Sequence, residues 1–209
     1  MSYQLTTLPN GLRVATEQLP GLETVAVTVT TGVGARYESE AENGISHLLE
    51  HMAFKGTARH SAREIAEIFD NIGGQLNAYT SMEHTVYYAK ILKENMPLAV
   101  DMLADILQHS TFSEEELAKE KSVIIQEIAM HHDSPEDVLV DLFDEAAFPH
   151  QPLGRSILGT QAKIQAYKRD DIIRYMQRHY LPGNMVVSAA GNIVHDDFVS
   201  HVEQCFILN

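Results

Sequence analysis

Hydrophobic and polar residues alternate in short runs in the N-terminal part of the chain and again after residue 184. A period of two places successive side chains on opposite faces, which is typical of a β-strand with one buried face. Turn-forming residues such as Pro9-Asn10-Gly11 separate the runs. The runs predict strands at 3–8, 12–18, 24–33, 75–80, 84–92 and 185–191.

Elsewhere apolar residues recur every three or four positions, which is the spacing of an amphipathic helix. Ser113 and Glu116 form a capping box, so a helix is expected to begin there. Helices are expected to dominate residues 93–178. Individual helices are predicted at 47–54, 61–72, 113–132, 135–147, 168–180 and from about 196.

Strands at both ends of a block of helices predict an α+β fold. We expect an antiparallel-rich mixed sheet with helices packed mainly on one face. No repeat, low-complexity tract or linker interrupts the pattern, so a single domain is predicted over residues 1–209.

The composition is that of an ordinary globular protein, with 44% hydrophobic and 21% charged residues. No segment approaches the roughly 20 apolar residues of a membrane span, so none is expected. The single cysteine, Cys205, excludes an internal disulfide and a multi-cysteine zinc site. A formal charge of −14 argues against nucleic-acid binding. It fits a cationic partner, or a surface that is simply soluble.

The sequence HLLEH at residues 47–51 lies in a predicted helix. His47 and His51 are about one turn apart, so both imidazoles can reach one ion, with Glu50 beside them. Two histidine ligands and a carboxylate base are the components of a zinc hydrolase, here in the inverted H-x-x-E-H order. The chain contains 11 histidines, so a plain helix with two half-buried histidines is the alternative.

A catalytic zinc ion usually has a third protein ligand. The predicted helix 113–132 offers Glu120 and Glu127, seven residues apart on the edge of its apolar stripe. A carboxylate in such surroundings needs a cation or hydrogen-bond donors, and a metal ion is one answer. The alternative is that both glutamates turn outward into solvent.

The pentad and the residues that follow it, HMAFKGT at 51–57, resemble the insulinase (pitrilysin-like) family of zinc peptidases. The likeness is greatest to the processing-peptidase β-subunits and their bacterial relatives. Further blocks resemble the family in the same order: NGLRV at 10–14, GVGARYE at 32–38, GGQLNAYT at 73–80, PLGR at 152–155, ILG at 157–159 and NMVV at 184–187. The resemblance spans nearly the whole chain and implies a zinc endopeptidase that acts on peptides or unfolded segments.

Residue roles follow from this resemblance. It implies His47, His51 and Glu127 as the ligands of one Zn²⁺ ion per chain. It also implies two catalytic carboxylates, with Glu50 activating the zinc-bound water and Glu120 orienting the site.

The resemblance also implies substrate-binding residues. The family holds its substrate as an added strand on a sheet edge, which places Asn77 and Ala78 at the substrate; a plain interior strand is the alternative. Phe54 matches an aromatic position near the pocket after the scissile bond. Asp137 and Asp141 match positions that favour basic substrate residues, although helix-surface aspartates are common.

Family members usually carry two homologous halves, and this chain resembles the first. We therefore expect a zinc-peptidase domain truncated near its C-terminal end, at residues 205–209, with the second half absent; a natural half-size protein is the alternative. The expected partners are a peptide or unfolded polypeptide substrate, and a homologous second half, a partner subunit or a second copy in a homodimer.

Four functional alternatives stay open. They are an active zinc endopeptidase, a non-catalytic scaffold member, an inactive isolated half that needs its partner, and a zinc hydrolase of non-peptide substrates. The first residues show no basic leader or apolar signal core. The bacterial cytoplasm is therefore the expected location, with a mature organellar protein as the alternative.

Overall fold

Six strands form one mixed sheet in the computed structural model, which describes residues 3–207. The strands are β1 Tyr3–Thr7, β2 Arg13–Gln18, β3 Thr24–Thr31, β4 Gln75–Thr80, β5 Thr85–Leu92 and β6 Met185–Gly191. Their spatial order is β1-β2-β6-β3-β5-β4. All the predicted strands are present. Of the predicted truncated end at residues 205–209, residues 208 and 209 lie outside the described residues.

The strand β6 lies between β2 and β3 and joins two parts of the sheet. It runs parallel to β2, with Val14 opposite Val187, and antiparallel to β3, with Val27 opposite Ala189. A parallel pair needs a long crossover connection, which the helical block between residues 93 and 184 provides. The remaining strand pairs are antiparallel.

One face of the sheet is apolar and is covered by helices. In β3, Val25, Val27 and Val29 are buried, whereas Ala26 and Thr28 on the opposite face are partly exposed. This alternation is the period of two seen in the sequence. The predicted α+β fold with an antiparallel-rich sheet is confirmed.

Within residues 3–207 the helices are α1 Ile45–Ala53, α2 Ala62–Asn71, α3 Met96–Gln108, α4 Glu114–His132, α5 Pro135–Ala147, α6 Gln161–Ala166, α7 Arg169–His179 and α8 His195–Cys205. The helical block predicted at 93–178 contains α3 and α6, for which no separate bounds were predicted. Helix α3 is buried along most of its length between the sheet and α8. No helix in this part of the chain combines the length and apolar character needed to cross a membrane.

The first turn of α1 is fixed by a buried carboxylate. The two oxygens of Glu38 accept the backbone N–H groups of Gly44 and Ser46, each at 2.8 Å. Gly44 has φ +93°, and a Cβ atom there would lie 2.8 Å from the carbonyl oxygen of Leu158. The helix therefore begins at Ile45, two residues before its predicted start, and its direction is set by Glu38.

Helix α4 packs against α1, and α1 also packs against the edge strand β4. The hydroxyl oxygen of Ser113 accepts the N–H of Glu116 at 3.3 Å, which confirms the predicted helix start. Leu117, Ile124 and Ile128 form the buried side of α4. The candidate site lies where α1, α4 and β4 meet.

Candidate metal centre

Two histidines of α1 project from successive turns toward α4. Only 14% of the His47 side chain and 18% of the His51 side chain are exposed. Their ring centroids are 4.6 Å apart, with the ring planes inclined at 68°. Two imidazoles this close repel each other when both are protonated, whereas two neutral rings can share a cation.

Glu127 on α4 faces both histidines. Its Oε2 atom lies 3.8 Å from Nε2 of His47 and 3.5 Å from Nε2 of His51. Among residues 3–207 these three side chains form the one group of potential ligands whose atoms all lie within 4.8 Å of one another. Tetrahedral zinc bonds of about 2.0–2.1 Å separate ligand atoms by about 3.3 Å, so the three residues fit a zinc ion with a fourth position open.

The protonation state of His47 also suits a metal ligand. Burial, together with the nearby charge of His51, lowers the pKa of His47 to about 4. Its Nδ1 atom is buried without a hydrogen-bond partner among the described residues. Because metals bind the neutral imidazole, His47 needs no deprotonation near neutral pH.

A second carboxylate of α4 supports His51 from behind. Glu120 is buried, and its Oε2 atom lies 3.1 Å from Nδ1 of His51. When Nδ1 of His51 donates its proton to Glu120, the lone pair of Nε2 faces Glu127. The other oxygen of Glu120 lies 2.8 Å from Nζ of Lys55. This arrangement suits the orienting role predicted for Glu120.

Glu50, the predicted base, is partly buried beside the two histidines. Burial raises the pKa of Glu50, and a hydrogen bond from Thr80 partly offsets that shift. The Thr80 hydroxyl donates to Oε2 of Glu50 at 2.6 Å. Because Thr80 is the last residue of β4, this bond connects the candidate base to the edge strand.

The strand β4 lies at the edge of the sheet and pairs with β5 alone among the described strands. Asn77 is exposed, whereas Ala78 is buried. The N–H of Ala78 donates to the side-chain oxygen of Asn77 at 2.8 Å. The edge position matches the prediction that this segment receives an added strand.

Phe54 follows the last residue of α1 and is partly buried. It lines a cleft of about 320 Å³ together with Ile65 and Phe69 of α2 and Leu76 of β4. The cleft therefore combines apolar side chains with the edge strand.

Asp137 and Asp141 both lie on α5, next to the C-terminal end of α4. His131 of α4 lies between them, with Nε2 2.8 Å from an oxygen of Asp141 and Nδ1 4.0 Å from an oxygen of Asp137. The two aspartates thus share one side of their helix, as predicted, but they are in contact with a histidine. His131 is one turn beyond Glu127, which connects this acidic pair to the helix of the candidate ligand.

Three side chains of this region have contacts in the site that were not predicted from the sequence. They are Lys55, Thr80 and His131. A signal was available for His131, because four residues separate it from Glu127 on the same helix face. Lys55 and Thr80 gave no such signal, since their partners Glu120 and Glu50 are distant in the sequence.

Family models match two consecutive ranges of the chain. The model described as "Insulinase (Peptidase family M16)" matches residues 13–161, and the model described as "Peptidase M16 inactive domain" matches residues 166–207. The strand β6 belongs to the second range but lies between β2 and β3 of the first. The two matched ranges therefore share one sheet.

A solved structure has the same fold over nearly the whole chain. The crystal structure of a protease from Helicobacter pylori aligns with a TM-score of 0.94 and 28% identity, covering 98% of this chain and 50% of that one.

Relatives at the sequence level are longer proteins. An "Uncharacterized zinc protease" of Rickettsia felis is 46% identical over 205 residues, which is 98% of this chain and 50% of that protein. A "Probable mitochondrial-processing peptidase subunit beta" of Arabidopsis thaliana is 44% identical over 203 residues, which is 97% of this chain and 38% of that protein. This chain thus spans half or less of each relative's length. The resemblance seen in the sequence is confirmed, and the chain belongs to the insulinase family of peptidases, family M16.

Proposed function

We propose that this chain carries the zinc centre of a metalloendopeptidase, with His47, His51 and Glu127 as ligands of one Zn²⁺ ion. The observation that carries the proposal is the convergence of one atom from each side chain between α1 and α4. Two imidazoles and a carboxylate with an open fourth position are the ligand set of a catalytic zinc site. Bound zinc supplies the Lewis acidity that assists the attack of water on a peptide carbonyl.

In this proposal Glu50 is the general base. It receives a proton from the attacking water and passes it to the leaving amine. Burial of Glu50 raises its pKa toward the range in which a carboxylate can both accept and release a proton. The Thr80 hydroxyl holds one oxygen of the carboxylate and leaves the other for the water.

The proposed substrate is a peptide or an unfolded segment that adds to β4 as a further strand. Backbone pairing at a sheet edge accepts many sequences, because it uses main-chain groups. The N–H of Ala78, now bonded to Asn77, is one such group. A substrate strand in this position runs past Glu50 and Thr80, and the cleft beside Phe54 is open to one of its side chains.

A preference for basic residues near the cleavage site is proposed for Asp137 and Asp141. The contacts of both carboxylates with the imidazole of His131 support the proposal, because they place the two aspartates on one side of α5. The chain's formal charge of −14 favours the approach of cationic peptides.

The substrate chamber is proposed to need a further structural unit. The chain spans 50% of the Rickettsia felis relative. The other half of that relative is long enough to form such a unit. A homologous second half, a partner subunit or a second copy of this chain are the three forms such a unit can take.

The direct test is cleavage of a quenched-fluorescent, arginine-containing peptide by the zinc-loaded chain, with Glu50→Gln as the matched control. We expect turnover in the wild type and its loss in Glu50→Gln, while both proteins bind one zinc ion. Zinc binding is measured separately, by competition with a chromophoric chelator.

Each other result identifies a different alternative. If the chain binds zinc but shows no turnover, and addition of a second half restores turnover, the chain is an inactive isolated half. Absence of zinc binding in the folded chain contradicts the proposed metal centre and favours a scaffold role.

A further inference from the structure

Lys55 lies two residues beyond the end of α1 and reaches back toward the proposed zinc site. Its Nζ atom lies 2.8 Å from Oε1 of Glu120. Oε2 of the same carboxylate lies 3.1 Å from Nδ1 of His51. The two oxygens of one carboxylate thus face a lysine on one side and a proposed zinc ligand on the other.

This ion pair differs from the exposed pairs of the same helix. Only 7% of the Glu120 side chain is exposed, and 31% of the Lys55 side chain. For the pair formed by Glu115 and Lys119, the exposed fractions are 80% and 56%. Water screens exposed pairs, so they contribute little, whereas a buried carboxylate that loses a charged partner is strongly destabilised. The position of Glu120 therefore depends on Lys55.

The turn that carries Lys55 is itself fixed. The hydroxyl of Thr57 donates to Oδ2 of Asp105 at 2.7 Å, and Asp105 is buried in α3. The carbonyl oxygen of Gly56 accepts a backbone N–H from the segment after α3 at 3.0 Å. Because the two residues after Lys55 are held, its ammonium group reaches Glu120 from a fixed backbone.

We propose that Lys55 is a positioning residue of the zinc centre, acting through Glu120. Its ammonium group holds the carboxylate in the orientation that accepts the Nδ1 proton of His51, so that Nε2 of His51 points toward Glu127. The inference rests on the proposed zinc site and extends it by one further layer of side chains. Partners of this kind, outside the ligand set, typically change metal affinity 10- to 100-fold.

If Lys55 acted on the zinc ion through its charge alone, its removal would strengthen zinc binding, which is opposite to the effect expected of a positioning residue. A lysine near a bound cation repels it, so loss of the ammonium group by itself strengthens zinc binding. A positioning role predicts weaker binding, because Glu120 no longer fixes the ring of His51. The sign of the change therefore separates the two effects.

The experiment compares Lys55→Met with Lys55→Arg and with Lys119→Met in the 209-residue chain. Zinc affinity is measured by chelator competition, and the ligand geometry by the visible absorption of the Co²⁺-loaded protein. We expect zinc binding to weaken about 10- to 100-fold in Lys55→Met, with an altered Co²⁺ spectrum. Lys55→Arg should restore most of the affinity, and Lys119→Met should match the wild type.

A double-mutant cycle with Glu120→Gln tests whether Lys55 affects zinc affinity through Glu120. If Lys55 acts through Glu120, Lys55→Met weakens zinc binding in the wild-type background and has little further effect beside Glu120→Gln. Circular dichroism of the metal-free proteins checks the fold. Should Lys55→Met not fold, Lys55→Gln takes its place in the cycle.

Unchanged or tighter zinc binding in Lys55→Met overturns the inference, as does an equal loss in both backgrounds of the cycle. His47→Ala keeps this failure distinct from failure of the proposed function. If the wild type binds zinc and His47→Ala does not, the metal centre stands without a role for Lys55. If the wild type binds no zinc, both proposals fail.

Discussion

At the residue scale, the candidate site depends on the protonation states of His47 and Glu50. His47 is buried beside another imidazole, and its pKa falls to about 4. Glu50 is partly buried near the same point, and its pKa rises. Burial disfavours the charged form in both residues, which suits the neutral ligand proposed at His47 and the proton carrier proposed at Glu50.

The depressed pKa of His47 makes the stability of the metal-free protein depend on pH. The unfolded histidine has a pKa of 6.5 and the folded one a pKa of about 4. The contribution of neutral His47 is therefore present above pH 6.5 and is lost as the pH falls toward 4. The loss amounts to at most about 3 kcal/mol.

Urea unfolding of the metal-free protein at a series of pH values measures this effect. His47→Gln should lose less stability than the wild type between pH 6.5 and pH 4, whereas the exposed His132→Gln should follow the wild type. Equal slopes in wild type and His47→Gln contradict the assignment.

Thr80 is expected to tune the proton affinity of Glu50. Its hydrogen bond lowers the pKa of Glu50, so its removal in Thr80→Val should raise that pKa further. The acidic limb of the pH profile of kcat/KM should then move to higher pH. The profile is measured on the form of the protein that is active, either the chain alone or the chain with its second half. Thr80→Ser keeps the hydroxyl and serves as the control; an unshifted limb in Thr80→Val rules out this coupling.

At the scale of elements, the direction of α1 depends on Glu38. This carboxylate lies outside the helix and accepts two of its first N–H groups. Ser46, which donates one of them, also contacts the hydroxyl of Tyr175 of α7 at 2.8 Å through its side chain. The first turn of the helix that carries both histidines is therefore held by buried polar contacts.

Removal of this cap should destabilise the fold. Glu38→Ala leaves two buried N–H groups of α1 without acceptors, so we expect the free energy of unfolding to fall by roughly 2–4 kcal/mol. Chemical denaturation measures the change. The exposed neighbour Glu40→Ala should shift it by less than about 0.5 kcal/mol, and a similarly small shift for Glu38→Ala contradicts the capping role.

The elements themselves were largely predictable from local patterns. The predicted range of β4 agrees with the structure, because its flanking turn residues lie next to the strand. The start of α1 was displaced, because the capping carboxylate of Glu38 comes from a separate segment. Helix α3 was predicted only as part of the helical block 93–178, without bounds of its own. Lys55 and Thr80 were missed for the same reason as Glu38, since their contacts join distant parts of the chain.

At the scale of the whole molecule, charge and topology matter most. Under the proposed function, the formal charge of −14 is expected to attract cationic peptides over a distance, and salt should screen that attraction. The KM for a basic peptide should therefore rise with ionic strength.

The order of the strands is a whole-molecule property as well, because no local pattern places β6 between β2 and β3.

Asp137 and Asp141 should make the attraction specific. Asp137→Asn with Asp141→Asn is expected to lower kcat/KM for an arginine-containing peptide by roughly three- to tenfold, and to leave a neutral analogue unchanged. Asp196→Asn with Asp197→Asn removes the same charge from exposed positions on α8 and is the matched control. An equal effect of both double variants indicates general attraction alone.

The central position of β6 has a consequence for biosynthesis. Met185–Gly191 leaves the ribosome after α1 and α4, so a nascent chain that stops before it already holds every proposed zinc ligand. Until β6 emerges, β1 and β2 have no bridge to β3, β5 and β4. The edges of β2 and β3 stay unpaired during that interval and are open to chaperones or to aggregation. If the proposed zinc centre needs the completed sheet for its stability, we expect stable zinc binding to follow the emergence of β6.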